Sequence, residues 1–105
     1  MKKEERSAVE QLKFQYRANR SISTTAHVGV VGSGDLEILL EPSNSGMAEV
    51  NIRTQTEGFG IIWRALLERF FLTHDIAVKI EINDFGATPG VVTLRLAQAV
   101  EVLDL

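Results

Sequence analysis

Residues 28–42 read "VGVVGSGDLEILLEP", and the fold follows from how this stretch divides. On its upstream side, Ala26, Val28 and Val30 alternate with His27, Gly29 and Val31, the period-two pattern of a half-buried strand. On its downstream side, "LEILLE" (36–41) puts Leu36, Ile38 and Leu40 on one face of another strand. Between the two runs lies Gly32-Ser33-Gly34-Asp35. Glycine reaches positive φ at little cost, so two apolar runs joined in this way spell a β-hairpin.

The same patterns extend outward. Upstream, Leu12, Phe14 and Tyr16 alternate with Lys13, Gln15 and Arg17, which predicts a strand, although residues 4–17 also admit a helix. Downstream, "EPSNSG" is built from turn residues, and "MAEVNIRTQ" (47–55) alternates Ala48, Val50 and Ile52 with polar positions. The period then changes. Phe59, Ile62, Trp63, Leu66, Leu67 and Phe70 recur at helical spacing over 58–72, with Thr56 or Glu57 placed to cap or compensate the start. "AVKIEIND" (77–84) returns to strand alternation. Thr88-Pro89 is then a helix-start signal, and Val92, Leu96, Ala99, Val100 and Leu103 form one helical face.

The predicted order is β-β-β-β-α-β-α, an α+β two-layer sandwich. A mainly antiparallel sheet of about five strands carries two helices on one face, the first helix belonging to a right-handed β-α-β crossover. Residues 1–10 read as a disordered N-terminal extension. Residues 11–105 form a single domain, long enough to bury about 65% of its unfolded surface.

Composition narrows the chemistry. There are no cysteines, which removes disulfides, thiolate metal sites and cysteine nucleophiles. Two histidines, His27 and His74, are poor material for a metal centre. Residues 1–20 carry six basic and three acidic groups; the remainder carries five basic and eleven acidic. Such an acidic body lacks the basic stripe that nucleic acid or an anionic membrane requires, and suits basic protein partners better. No apolar run reaches the roughly 20 residues of a membrane span, and the start is no secretory signal, so the expected location is cytoplasmic.

Each candidate motif has a plainer reading. The glycines of "GVVGSG" run into a strand, whereas a phosphate-binding loop opens a helix whose free amides hold the anion. Ser33 as a catalytic nucleophile would need a base such as His27 and a strand-to-helix elbow, which is absent. Asp35 and Glu37 fall two apart on one strand face, most simply as solvated edge charges. "DFG" at 84–86 matches a kinase string in a chain far too short for a kinase. Trp63 and Phe70 read as core, and Phe59 or Phe71 as core or subunit contact. What remains is a small hydroxyl, flanked by glycines and followed by acid, at a bend that a modifying enzyme can surround.

Together, "VGVVGSGDLEILLEP" and "DFGATPGVVTLRL" (84–96) resemble the acyl carrier proteins of malonate decarboxylase, its delta subunits. The resemblance runs from about Ala26 to Val102. The citrate lyase carriers also hold a serine in an S-G-D turn, but there the turn tends to read E-S-G-D and the later joint differs. The resemblance implies a non-catalytic carrier with phosphoribosyl-dephospho-CoA joined to Ser33 by a phosphodiester, and Gly32, Gly34, Asp35 and Glu37 supporting the attachment loop. It further implies acetyl and malonyl thioesters on the arm's thiol. The implied partners are the acyl transferase (alpha) subunit, the decarboxylase (beta and gamma) subunits and the transferase that loads Ser33. No metal, nucleic acid or membrane is implied. The rival readings are a citrate lyase-type carrier and a cofactor-free protein-interaction module.

Overall fold

The computed structural model describes residues 10–29, 35–103 and 105. The elements are β1 (Glu10–Arg17), β2 (Arg20–Ser21), β3 (Ala26–Val28), β4 (Leu36–Pro42), β5 (Met47–Thr54), α1 (Gly60–Thr73), β6 (Ile76–Asp84) and α2 (Pro89–Leu103). The α+β class and the two helices are as the periodicity predicts. One strand is added: β2, two residues long, pairs in parallel with Ile76–Ala77 at the start of β6. Two residues are too few to show an alternating pattern, so this strand had no signal. The order is therefore β-β-β-β-β-α-β-α.

The sheet runs β1-β5-β6-β4-β3. Consecutive strands β4 and β5 are not neighbours, because β6 is inserted between them. It pairs antiparallel with β4 and parallel with β5, so the sheet is mixed, with β1–β5, β3–β4 and β4–β6 antiparallel. The register explains the choice of centre. Ile80 lies opposite both Leu40 and Val50, and Ile82 opposite both Ile38 and Ile52. These six side chains are at most 1% exposed. A strand with the most β-branched apolar residues takes the position where both edges are paired.

Side chains alternate across the sheet, so all these residues share one face. Trp63, Leu67 and Phe70 of α1 and Val92, Leu96, Ala99 and Leu103 of α2 join them in one core cluster. The opposite face is polar: Lys79, Glu81 and Asn83 of β6 face away from the core, flanked by Glu49, Asn51 and Glu37. On β1, Tyr16 stacks on Phe71 of α1 with ring centroids 4.7 Å apart, which accounts for Phe71 as a packed residue.

Both helix starts test the capping signals. Thr88 caps α2 as its sequence predicts, its Oγ1 accepting from Val91 N at 3.2 Å. At α1 the expected cap at Thr56 or Glu57 does not form. Phe59 is the N-cap residue and makes no side-chain cap. Thr56 is committed elsewhere: its amide donates to Thr54 Oγ1 at 3.0 Å, and that hydroxyl gives its one proton to Asp84 Oδ2 at 2.8 Å. Gly58, at φ +90°, then turns the chain and donates its amide to Glu10 Oε1. Residues 1–9 of the expected extension lie outside the described residues, and Glu10 opens β1.

Truncating the centre of this core has a defined cost. Ile80→Ala removes a fully buried side chain and should destabilise the domain by about 2–5 kcal/mol in chemical denaturation. Ile61→Ala, at a position 84% exposed, should change stability by no more than about 0.5 kcal/mol.

Candidate functional site

The hairpin read from residues 28–42 is present: Ala26, His27 and Val28 pair with Leu40, Leu39 and Ile38. Among the described residues β3 ends at Val28, and Val30 and Val31 of the predicted strand lie outside them. Gly29 turns away at φ +86°, a backbone shape that side chains with a Cβ rarely adopt. A Cβ there would also lie 2.1 Å from the carbonyl oxygen of Leu36. Glycine is thus required twice over where the chain leaves β3. Residues 30–34, including Gly32, Ser33 and Gly34, lie outside the described residues.

The return into β4 is held from two sides. The carbonyl of Asp35 accepts from Phe85 N at 2.9 Å, which joins it to the end of β6. Its carboxylate Oδ2 accepts from Arg95 Nη2 of α2 at 3.2 Å, while Arg95 Nη1 donates to Gln98 Oε1. The two side chains are 24% and 31% exposed, so solvent screens the pair and it adds little stability.

Glu37 behaves differently. Its Oε1 accepts from Asn83 Nδ2 at 3.0 Å and its Oε2 lies 2.8 Å from His27 Nε2. The Asn83 hydrogen bond first, then that of His27, hold its carboxyl below the ordinary value of 4.5 against the opposing effect of burial. His27 is 59% exposed, so solvent screens the pair. Asp35 and Glu37, two apart in sequence, therefore engage different elements: Asp35 reaches helix α2, and Glu37 the neighbouring strands. Among the described residues no three His, Asp or Glu side chains converge on a metal position.

Beside this base lies a pocket of about 280 Å³ between the starts of α1 and α2, lined by Phe59, Ile62, Trp63, Ala87 and Val92 among others. Its polar members are Thr56, Thr88 and Asp84, the last 5% exposed. Oδ2 accepts from Thr54 Oγ1 at 2.8 Å, and Oδ1 from the amides of Gly86 and Ala87 at 3.1 and 2.8 Å. The "DFG" string is thus strand-end turn chemistry, an aspartate bonding the amides two and three residues on.

The comparisons with known proteins bear on this arrangement. Residues 23–103 match the family model described as malonate decarboxylase delta subunit (MdcD). The chain belongs to that family. The malonate decarboxylase acyl carrier protein of Azotobacter vinelandii is 47% identical over 94 residues, covering 89% of this chain and 95% of the relative. That of Burkholderia cepacia is 47% identical over 96 residues, covering 89% of each. Among solved structures, a chain in the crystal structure of a Pseudomonas malonate decarboxylase hetero-tetramer in complex with malonate superposes with a TM-score of 0.83 at 45% identity. It covers 90% of this chain and 99% of that one. Membership of the delta-subunit family makes this chain a carrier subunit rather than a catalytic one. It also agrees with the resemblance carried by "GSGDLE" and "DFGATPGV".

Three groups of the site, Asp84, Arg95 and Asn83, are given no role by the sequence motifs, Asp84 figuring there only in the "DFG" string. Asp84 had an available signal: it continues the buried series Ile76, Val78, Ile80, Ile82, and a carboxylate on a buried face must be hydrogen-bonded. Arg95 and Asn83 had none, since they meet Asp35 and Glu37 only through the strand order.

Two outcomes follow. Gly29→Ala should cost roughly 2 kcal/mol or more in unfolding experiments, because the carbonyl it strikes is fixed in β4. Glu37 should titrate below its ordinary range by NMR, and Asn83→Ala should move the midpoint up. With its folded value depressed, Glu37 contributes stability above the unfolded pKa, and that contribution is lost as pH falls through the folded value.

Proposed function

We propose that Ser33 is the covalent attachment point of phosphoribosyl-dephospho-CoA, and that the chain serves malonate decarboxylase by carrying acyl groups between its other subunits. The observation that carries this reading is the family match spanning the Gly-Ser-Gly-Asp segment, in a chain whose described residues offer no catalytic constellation. When bound through a phosphodiester, the group supplies a distant thiol that holds acetyl or malonyl as a thioester.

The base of the Ser33 connection suits that anion. The carboxylates nearest to Ser33 in sequence are each held by donors, Asp35 by Arg95 and Glu37 by Asn83 and His27. Their charge is offset by these partners instead of being turned on an incoming phosphate. Gly32 and Gly34 carry no side chain, so the sequence puts no bulk directly beside Ser33. Asp35 and Glu37 support the downstream flank of the loop, where Asp35 is tied to the end of β6 and to α2, and Glu37 to β3 and β6.

The partners on this reading are the acyl transferase (alpha) subunit, the decarboxylase (beta and gamma) subunits and the transferase that loads Ser33. A solved relative belongs to a hetero-tetramer, which supports a multi-subunit setting. Tethering raises the local concentration of an acyl group at each partner to about the millimolar range. Among the described residues no helix is long and apolar enough to cross a membrane, in keeping with a cytoplasmic carrier.

Intact-mass measurement of the protein from its native host tests the reading. The expected result is the mass increment of phosphoribosyl-dephospho-CoA, abolished completely in Ser33→Ala. Unmodified protein in cells growing on malonate would sink it. Incubation with the loading transferases of the malonate and citrate lyase systems separates the two carrier types by which one installs the group.

A further inference from the structure

The pocket between α1 and α2 shares a strand end with the Ser33 connection. Asp84 lies opposite Leu36 in the β4–β6 register, and Phe85 N donates to the Asp35 carbonyl at 2.9 Å. Asp84 and Gly86, on either side of Phe85, both line the pocket. One residue of backbone thus separates the base of the connection from the pocket wall.

Its size and lining select a ligand class. An apolar cavity of about 150 Å³ accepts benzene, so about 280 Å³ holds the end of an acyl arm but not a whole coenzyme. Phe59, Ile62, Trp63, Leu66, Ala87 and Val92 present apolar surface. Phe59 and Ile62 are 43% and 42% exposed, large apolar side chains left facing water at the rim. Of the lining residues Asp84 alone is ionisable, and its oxygens already accept three hydrogen bonds. A neutral guest meets no obstacle there. A second carboxylate would lose water without gaining a cation, and would face a like charge.

We propose that this pocket is the resting site of the neutral acetyl-thioester end of the arm, and that it excludes the malonyl form. The inference rests on the Ser33 reading for the origin of its ligand. A tether at millimolar effective concentration makes weak intrinsic affinity sufficient for occupancy. The acetyl thioester is then shielded from water between encounters, while the malonyl thioester stays outside, available to the decarboxylase.

Trp63, the single tryptophan, lines the pocket and reports its occupancy. Free S-acetylpantetheine titrated into the unloaded full-length Ser33→Ala chain should change Trp63 fluorescence saturably, with half-saturation of about 1–10 mM. S-malonylpantetheine should need at least about tenfold more. Ala87→Leu, which fills the pocket, and Ile62→Asp, which charges an exposed rim position, should each abolish the response while circular dichroism stays unchanged. No saturable response by tens of millimolar overturns the proposal, as does equal response to both thioesters or persistence of the response in Ile62→Asp. A pocket silent to both ligands but shielded on assembly of the decarboxylase would be a subunit contact, and the proposal would likewise fall. Because this titration needs no modified serine, its failure is separable from failure of the mass measurement, which reads attachment alone.

Discussion

Asp84 closes the end of the central strand, and three parts of the molecule depend on how it is satisfied. Its carboxylate takes a hydrogen bond from Thr54 on the parallel neighbour and two from the amides of the turn that follows. A buried carboxylate without those donors would be costly, and the donors without it would be left unpaired in the interior. The arrangement is therefore all or nothing. It stops β6, starts the path into α2, and points Phe85 N at Asp35. The start of β4, the pocket and the start of α2 are positioned by this one set of bonds.

The architecture above this point was legible because most elements announce their period. β4, β5 and β6 alternate cleanly, α2 has both a capping threonine and a proline at its first position, and a chain with one β-α-β unit must set its strands parallel there. What periodicity does not carry is adjacency. Nothing in "LEILLE" or "MAEVNIRTQ" says that they are held apart by a third strand, although the turn between them makes them look like a hairpin. That choice is made by the apolar content of β6, which is better buried between two partners than at an edge. The absent cap of α1 has a similar origin: Thr56 is drawn into a tertiary arrangement around Thr54, and local propensity yields to it.

The site divides along the same line. Gly29 was visible only as one glycine of several. Its necessity comes from the approach of the Leu36 carbonyl, which exists only once the hairpin has formed. Asp35 and Glu37 were visible as an acidic pair beside a serine, but their partners come from β6, β3 and α2, as far as 60 residues away. Hydrogen-bond partners across such separations follow from strand order and cannot be reached from spacing along the chain. Asp84 is the instructive intermediate, for its position was predictable as buried and its partners were not.

A carrier has opposing mechanical needs, access and direction, and the bonds of the described residues bear on the second. On the proposed reading, Ser33 must be accessible to several enzymes in turn. The enzymes must also meet the arm in a defined direction, which argues for a base that does not wander. In this chain both flanks of residues 30–34 are committed: a glycine that only one backbone shape satisfies on one side, and on the other an aspartate held by a backbone bond to β6 and an ion pair to α2. The anchoring elements are themselves set by the core, since α2 is fixed by Val92, Leu96 and Ala99 and β6 by both of its neighbours. The placing of both flanks is thus inherited from hydrophobic packing.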